Sequence, residues 1–239
     1  MKKILLAGTA IFASAAMLAS PAAAADGLKL GIGGYFSAYG VYLSQDDSAG
    51  EIAADTRNHF MRRESEIHFN GETTLDNGLT VGIDIQLEGE TAADQIDESF
   101  IYMSGMWGKI IIGSENSAAY LLQVAAPTAD GNFDGMDPNY NIVTRATNAA
   151  EYRYAQLGTG DMDKITYISP DYNGFKAGIS YTPELLEEAA PTLAASLDNI
   201  PGDYDTAFDI AARYDGMFED VKFGIGAGYS LANLEADAG

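Results

Sequence analysis

Apolar and polar residues alternate along many short segments of this 239-residue chain. The clearest segment has apolar side chains at every second position: Leu79, Val81, Ile83, Ile85 and Leu87. A period of two places successive side chains on opposite faces of an extended strand. The pattern predicts about nine strands, at residues 28–43, 60–74, 78–90, 97–105, 108–115, 162–169, 175–182, 207–214 and 221–230. The sequence therefore predicts an all-β fold.

Composition excludes several other classes of protein. There are 13 basic and 35 acidic residues, a formal net charge of -22, whereas a nucleic-acid-binding protein needs a basic surface. Hydrophobic residues make up 47%, too many for an acidic disordered chain. The absence of cysteine excludes disulfide scaffolds, thiolate metal sites and cysteine nucleophiles. Beyond residue 25, no apolar run is long enough for a transmembrane helix.

The first 25 residues have the pattern of a secretory signal peptide. Lys2 and Lys3 precede a short apolar run over residues 4–18, and small residues at 23–25 suit cleavage. Removing this segment leaves 13 − 2 = 11 basic and 35 acidic residues, so the predicted mature domain, 26–239, has a net charge of 11 − 35 = -24. We expect this domain to leave the cytoplasm.

The connections between predicted strands differ in length according to strand parity. Tight turns follow strands two, four, six and eight, whereas longer connections cover 44–59, 91–96, 116–161 and 183–206. Short turns at one end and long loops at the other are typical of outer-membrane β-barrels. A secreted β-sandwich also alternates apolar and polar residues, so periodicity alone leaves it as an alternative.

In a barrel, the polar face of each strand lines a wet lumen and the apolar face contacts lipid. The charged residues that we predict to face the lumen are Glu64, Glu66, Asp84, Glu88, Lys176, Asp209, Arg213 and Lys222. The residues that we predict to face lipid are Ile83, Ile85, Ile179, Tyr181, Ile210, Phe223 and Ile225. A one-residue shift in register would exchange the two sets.

Three segments, in order, resemble the general porin family of Gram-negative outer membranes, and most of all its alphaproteobacterial members. They are residues 65–79, beginning Ser-Glu-Ile-His-Phe-Asn-Gly-Glu, residues 100–113, containing Trp107-Gly108-Lys109, and residues 164–181, beginning Lys-Ile-Thr-Tyr-Ile-Ser-Pro. The resemblance implies a transmembrane antiparallel up-and-down β-barrel of about sixteen strands, large enough for an aqueous channel. It also implies contact with outer-membrane lipid and lipopolysaccharide, assembly as a homotrimer, and no nucleic-acid partner.

Two features depart from the family pattern. Many porins carry an arginine directly after the glycine equivalent to Gly113, whereas Ser114 and Glu115 follow here. The chain also ends at Gly239 without the terminal aromatic strand that the family usually has. From the nine predicted strands and this ending, we expect an N-terminal fragment of a porin.

The connection 116–161 is too long for an ordinary hairpin loop, which indicates a functional role. The resemblance implies that it is the constriction loop, which folds into the barrel. Its candidate acidic residues are Glu115, Asp130, Asp134 and Asp137, and the candidate basic residues that face them are Arg57, Arg62, Arg63, Arg145 and Arg153. Opposed charges across a constriction sort ions, and the acidic excess predicts modest cation selectivity.

The segment 130–135, Asp-Gly-Asn-Phe-Asp-Gly, matches the first half of an EF-hand calcium loop. Position twelve of that loop is Asn141 rather than glutamate, and no helical pattern flanks it. A looser calcium site would use four residues: Asp130, Asn132, Asp134 and Asp137.

Catalytic motifs are lacking. His59 and His68 are the only histidines, and the chain has no HExxH, P-loop or Gly-x-Ser-x-Gly motif. We therefore predict a protein that is not an enzyme and requires no cofactor. Two functions remain: a diffusion channel for ions and small hydrophilic solutes, or a secreted β-sandwich that binds carbohydrate or calcium.

Overall fold

The computed structural model describes residues 29–42, 59–89, 95–124, 159–185 and 204–234. The strands in these ranges are β1 Lys29–Tyr42, β2 His59–Thr74, β3 Thr80–Glu88, β4 Ile96–Gly105, β5 Gly108–Ser114, β6 Asp163–Ile168, β7 Phe175–Thr182, β8 Tyr204–Phe218 and β9 Val221–Leu234. One short helix, α1 Ala118–Leu121, follows β5. No helix in the described ranges is both long and apolar enough to cross a membrane.

All nine strands belong to one sheet, and their order in the sheet is their order in the chain. Every neighbouring pair is antiparallel. The predicted sequential meander is therefore confirmed, and the β-sandwich alternative is wrong, because the described strands do not divide into two packed sheets. Among these residues, β1 and β9 are the two edges of the sheet and do not pair with each other.

The hairpin between β8 and β9 is longer than predicted. The sequence indicates a loop from residue 215 to residue 220, but β8 continues to Phe218, which pairs with Val221. Only Glu219 and Asp220 form the turn, and Glu219 adopts a positive φ of 52°. Asp215 and Gly216 are common turn residues, yet here they lie within the ladder, because the pairing with β9 is continuous from Ala207 to Phe218.

The sheet has two chemically different faces. We call the face that packs against α1 the inner face and the other the outer face. The outer face carries large apolar side chains that no described part of the chain covers: Ile210 is 58% exposed and Ile225 is 64% exposed. The rings of Tyr181 and Phe208 also meet on this face, with centroids 4.7 Å apart. An exposed apolar face of this extent is suited to contact with lipid.

A small core joins α1 to the inner face. Ala119 and Leu122 pack with Ala211 of β8, and Ile168 of β6 borders them. Around Ala211 the strands present little side-chain bulk to the helix, because glycines occupy four inner positions: Gly178, Gly224, Gly226 and Gly228. We call these four residues the glycine floor. A Cβ added at Gly228 would lie 3.3 Å from the Cβ of Ala119, so the floor lets the helix approach the backbone closely.

Candidate functional site

The inner face of β2, β3 and β4 is acidic. We call this region the acidic arc, and its residues are Glu66, Glu72, Asp84, Glu88 and Glu98. The register alone brings two of these carboxylates together, since Glu66 pairs with Glu88. Some of the carboxylates are hydrogen-bonded: His68 Nε2 lies 2.8 Å from Glu66 Oε2, and the Tyr102 hydroxyl donates to Glu72 Oε2 at 2.5 Å. These bonds hold the carboxylates of Glu66 and Glu72 at fixed positions on the inner face.

Two residues of the acidic arc form, together with Asp97, a group of carboxylates that could bind a cation. Oxygen atoms of Glu66, Glu88 and Asp97 lie within 4.8 Å of one another. Carboxylate oxygens are the ligands that calcium prefers. Sequence periodicity does not predict that Asp97 joins this group, because a β-bulge shifts the register here: Gln86 pairs with Glu98 and Leu87 with Ile96. A bulge re-aims a side chain that strict alternation would place elsewhere.

Basic residues occupy the inner face on the other side of the sheet. Lys176 of β7 pairs with Arg213 of β8, and Lys222 of β9 lies two strands away from Lys176. Arg213 donates to both carboxylate oxygens of Asp215, at 2.7 and 2.8 Å, and to the carbonyl of Gln123 at 2.9 Å. A cavity of about 620 Å³ lies here, with Val124 and the side chains of Arg213 and Lys222 among its lining residues.

Glu115 lies at the start of the β5–β6 connection and is only 8% exposed. Its Oε1 accepts a hydrogen bond of 2.8 Å from the backbone N–H of Asn116. The side-chain amide of Asn116 in turn donates to Glu98 Oε1, also at 2.8 Å. Burial raises the pKa of Glu115 above its ordinary value, although the Asn116 bond and nearby Lys109 and Lys164 oppose that shift.

This raised pKa gives the folded state a specific dependence on pH. The ordinary pKa of glutamate is 4.5. Because the folded-state pKa of Glu115 is higher than 4.5, binding of its proton stabilises the folded state. This stabilisation is fully present below pH 4.5 and is lost as pH rises through the folded-state pKa. We therefore expect the stability of the wild-type protein to fall relative to that of Glu115→Gln as pH rises above 4.5.

Urea unfolding of the two proteins in detergent, from about pH 4 to about pH 8, measures this effect. Glu219→Gln, in the exposed β8–β9 turn, provides a control for the loss of one negative charge. Parallel pH profiles for the wild type and Glu115→Gln would contradict the assignment.

The base of the β5–β6 connection is held by polar groups on β6 and β7. Lys164 is buried, and its ammonium group donates to the carbonyls of Glu115, Gly160 and Met162. Next to it, the hydroxyls of Thr166 and Ser180 lie 2.7 Å apart. The Ser180 hydroxyl also accepts the backbone N–H of Ala118, at 2.7 Å, and so fixes the first residue of α1.

The register places most of the residues that we predict to face the lumen on the inner face: Glu66, Asp84, Glu88, Lys176, Asp209, Arg213 and Lys222. For Glu64 the structure gives the backbone pairing alone, with Ser37, and for Arg62 it gives the pairing with Tyr39. Arg63 lies on the outer face, not opposite the connection as expected for the constriction.

The remaining predicted site residues lie outside the described residues. They are Arg57, Asp130, Asn132, Asp134, Asp137, Arg145 and Arg153. The proposed charge pairs of the constriction and the proposed calcium loop therefore stay predictions.

Sequence reasoning missed Glu98, Lys164 and Ser180, each of which bonds to a residue at the base of the connection. Glu98 and Ser180 lie at the polar positions of alternating strands, so the pattern gives their face. Their partners come from residues 115–118 and 160–162, and no periodic pattern predicts where such a connection returns. The missed contacts are therefore those between strand and connection.

A single antiparallel sheet with an uncovered apolar face and a charged opposite face defines a transmembrane β-sheet protein of the barrel class. The comparisons with known proteins give the family. A family model described as Gram-negative porin matches residues 9–239. The chain therefore belongs to the Gram-negative porin family, whose members reside in the outer membrane.

Two relatives identified by sequence agree with this assignment. The chain is 30% identical over 244 residues to a protein named monosaccharide porin from Halomonas sp and, to the same extent, to the major outer membrane protein of Halomonas elongata. Each alignment covers 94% of this chain and 63% of the relative. The chain thus spans less than two thirds of the length of these relatives. A solved structure of a Rh. blastica porin mutant aligns with a TM-score of 0.49 and 14% identity, over 84% of this chain and 63% of that chain.

Proposed function

We propose that the whole protein forms a water-filled channel in the outer membrane, through which ions and small hydrophilic solutes diffuse down their gradients. The division of the sheet into an apolar outer face and a charged inner face carries this proposal. Lipid can cover side chains such as Ile210 and Ile225, while water solvates the acidic arc. No chemical step is involved.

Contact with outer-membrane lipid follows from this arrangement. The finer expectations, contact with lipopolysaccharide and assembly as a homotrimer, are also part of the proposal. A calcium site at Asp130, Asn132, Asp134 and Asp137 remains a separate proposal, which calorimetric titration of the purified protein with calcium would test.

Planar-bilayer recordings test the channel directly. Purified, folded protein should produce stepwise increases in conductance when added to a bilayer, whereas the same protein unfolded by boiling should not. Folded protein that inserts into the bilayer and carries no current would contradict the proposed function.

We also propose that monosaccharides are among the permeating solutes, because one relative is named for them. Liposome swelling measures this permeation without electrodes. Liposomes that contain the protein should swell faster in glucose than in an isosmolar oligosaccharide. Equal rates for the two sugars would contradict a size-limited channel for monosaccharides.

The charges on the inner face indicate a preference for cations. The acidic arc carries negative charge at several points, and some of the inner cations are already engaged, as Arg213 is with Asp215. A negative wall concentrates cations and repels anions, over a screening length of about 8 Å at physiological ionic strength. The acids of the predicted constriction, Asp130, Asp134 and Asp137, would add to this preference.

A triple variant of the acidic arc measures the contribution of these charges. In Glu66→Gln, Glu72→Gln, Asp84→Asn, we expect the cation-to-anion permeability ratio to fall about twofold or more, because three wall charges are removed. The reversal potential in a salt gradient gives this ratio. Glu219→Gln, which removes a charge in the exposed β8–β9 turn, should leave it nearly unchanged. An unchanged ratio in the triple variant would show that the arc does not select ions.

A further inference from the structure

Lys164 joins the two ends of the connection between β5 and β6. It lies on β6 and is only 4% exposed. Its ammonium group donates to the carbonyl of Glu115, directly after β5, and to the carbonyls of Gly160, at 2.7 Å, and Met162, just before β6. A lysine ammonium has three N–H donors, so these carbonyls use all of them.

The surroundings of this cation offset part of the cost of its burial. A buried charge is costly unless it is hydrogen-bonded and paired with opposite charge. Three carbonyl oxygens accept from Lys164, and the carboxylates of Asp161, Glu115 and Asp209 attract it electrostatically. A solvent-exposed lysine on a wet wall would need none of this arrangement, which indicates a specific role for the side chain.

The carbonyl of Glu115 connects Lys164 to the position of α1. Only Asn116 and Ser117 separate Glu115 from Ala118, the first residue of the helix. Ala118 is also held by its bond to the Ser180 hydroxyl, and the helix then packs on the glycine floor. Fixing the carbonyl of Glu115 therefore restricts where α1 can lie on the inner face.

We propose that Lys164 is a positioning residue, which seats α1 on the inner face by tying the start of the β5–β6 connection to its end. The position of α1 would set the free width of the lumen beside β6–β9, and this part of the proposal rests on the proposed channel function. We call the three hydrogen bonds of Lys164 to the carbonyls of Glu115, Gly160 and Met162 the clamp, and its geometry does not depend on that function.

A disulfide-trapping experiment tests the clamp. The chain has no cysteine, so the pair Ala119→Cys, Gly228→Cys is the only thiol pair present. A Cβ at residue 228 would lie 3.3 Å from the Cβ of Ala119, close to the separation of about 3.5–4.5 Å found in disulfides. The rate of disulfide formation by the folded protein then reports how often α1 occupies its seat.

The rate is compared with and without Lys164→Met, which keeps the apolar stem of the side chain and removes its three donors. Only folded protein is scored, from the band that migrates differently on an unboiled gel. We expect Lys164→Met to slow disulfide formation about tenfold, the equivalent of one charged hydrogen bond. Lys176→Met is the matched control: this inner-face lysine lies 3.5 Å from Asp171, away from α1, and its loss should leave the rate unchanged.

A rate for Lys164→Met within about twofold of the parent would overturn the proposal, since that is ordinary scatter for such free energies. A purely structural role for Lys164 would lower the yield of folded protein without changing this rate. If Lys164→Met gives no folded band, the same criterion applies to the milder Lys164→Gln. The assay needs no ion flow, so absence of current through the unmodified protein would refute the proposed function and leave the clamp standing.

Discussion

Replacement of Ile210 by arginine should lower the free energy of unfolding by about 2–4 kcal/mol, the cost of a basic side chain on the lipid face near the bilayer midplane. Ile210 lies near the middle of β8 on the outer face, between Ile179 of β7 and Tyr229 of β9 in the register. It is 58% exposed, so no cavity in a protein core contributes to the effect. Urea titration of the folded protein in lipid vesicles measures the change.

Two controls separate lipid contact from other causes. Ile210→Leu keeps an apolar side chain of the same volume and should cost less than about 1.5 kcal/mol. Gln86→Arg introduces the same cation on the inner face, between His68 of β2 and Glu98 of β4 in the register, and should cost much less than Ile210→Arg. Equal stability of Ile210→Arg and the wild type would mean that the outer face contacts water.

Replacement of Gly174 by alanine should have an effect of similar size, on the order of 3 kcal/mol, for two reasons that add. Gly174 has a φ of +90°, a conformation that residues with a Cβ adopt with difficulty. In addition, a Cβ at this position would lie 2.0 Å from the carbonyl oxygen of Asp215, which is backbone and cannot rotate away. The clash would disturb the bond of 2.9 Å from the Asp215 N–H to the Gly174 carbonyl, and with it the contact between the β6–β7 turn and β8.

Gly78→Ala isolates the first of these reasons, the positive φ. Gly78 also has a positive φ, +81°, in the turn between β2 and β3, but a Cβ there would have no atom within 4 Å. It should cost about 1 kcal/mol, the penalty of the conformation alone. The difference between the two variants in urea unfolding therefore measures the clash. Equal losses would show that the backbone at Asp215 moves aside.

The sequence could predict the sheet well because the sheet follows a strict local rule. Side chains alternate between the two faces of a strand with a period of two residues, so Asp84 and Ile83 are assigned to opposite faces without knowledge of their neighbours. The tight turns then fix the order of the strands, since short connections join adjacent antiparallel strands. The predicted end of β8 is wrong because Asp215 and Gly216 are residues typical of turns. In the structure, the pairing energy of the continuing ladder outweighs that local preference.

The site was less predictable because it depends on the irregular part of the chain. Helix α1 has four residues, too few for a 3.6-residue period to appear in the sequence. The role of Lys164 depends on carbonyl oxygens, which every residue has and which therefore leave no trace in the sequence. The glycines of the floor appear in the sequence as the polar half of an alternating strand, with nothing to indicate that a helix lies over them.

The part of the glycine floor on β9 offers three positions at which the distance between the sheet and the segment after β5 can be probed. Gly224, Gly226 and Gly228 follow one another along a single face of one strand, at intervals of about 7 Å. A Cβ at Gly224 or Gly226 would contact Val124, and one at Gly228 would contact Ala119. Each of the three positions therefore reports on a known residue of the segment after β5. Single cysteines can be introduced at the three positions and treated with thiol reagents of increasing diameter. The rate at which each cysteine reacts would show how much space separates that position from the segment above it. Because three successive inner positions of β9 are glycines, this is the strand from which the coverage of the inner face by the segment after β5 can be measured most directly.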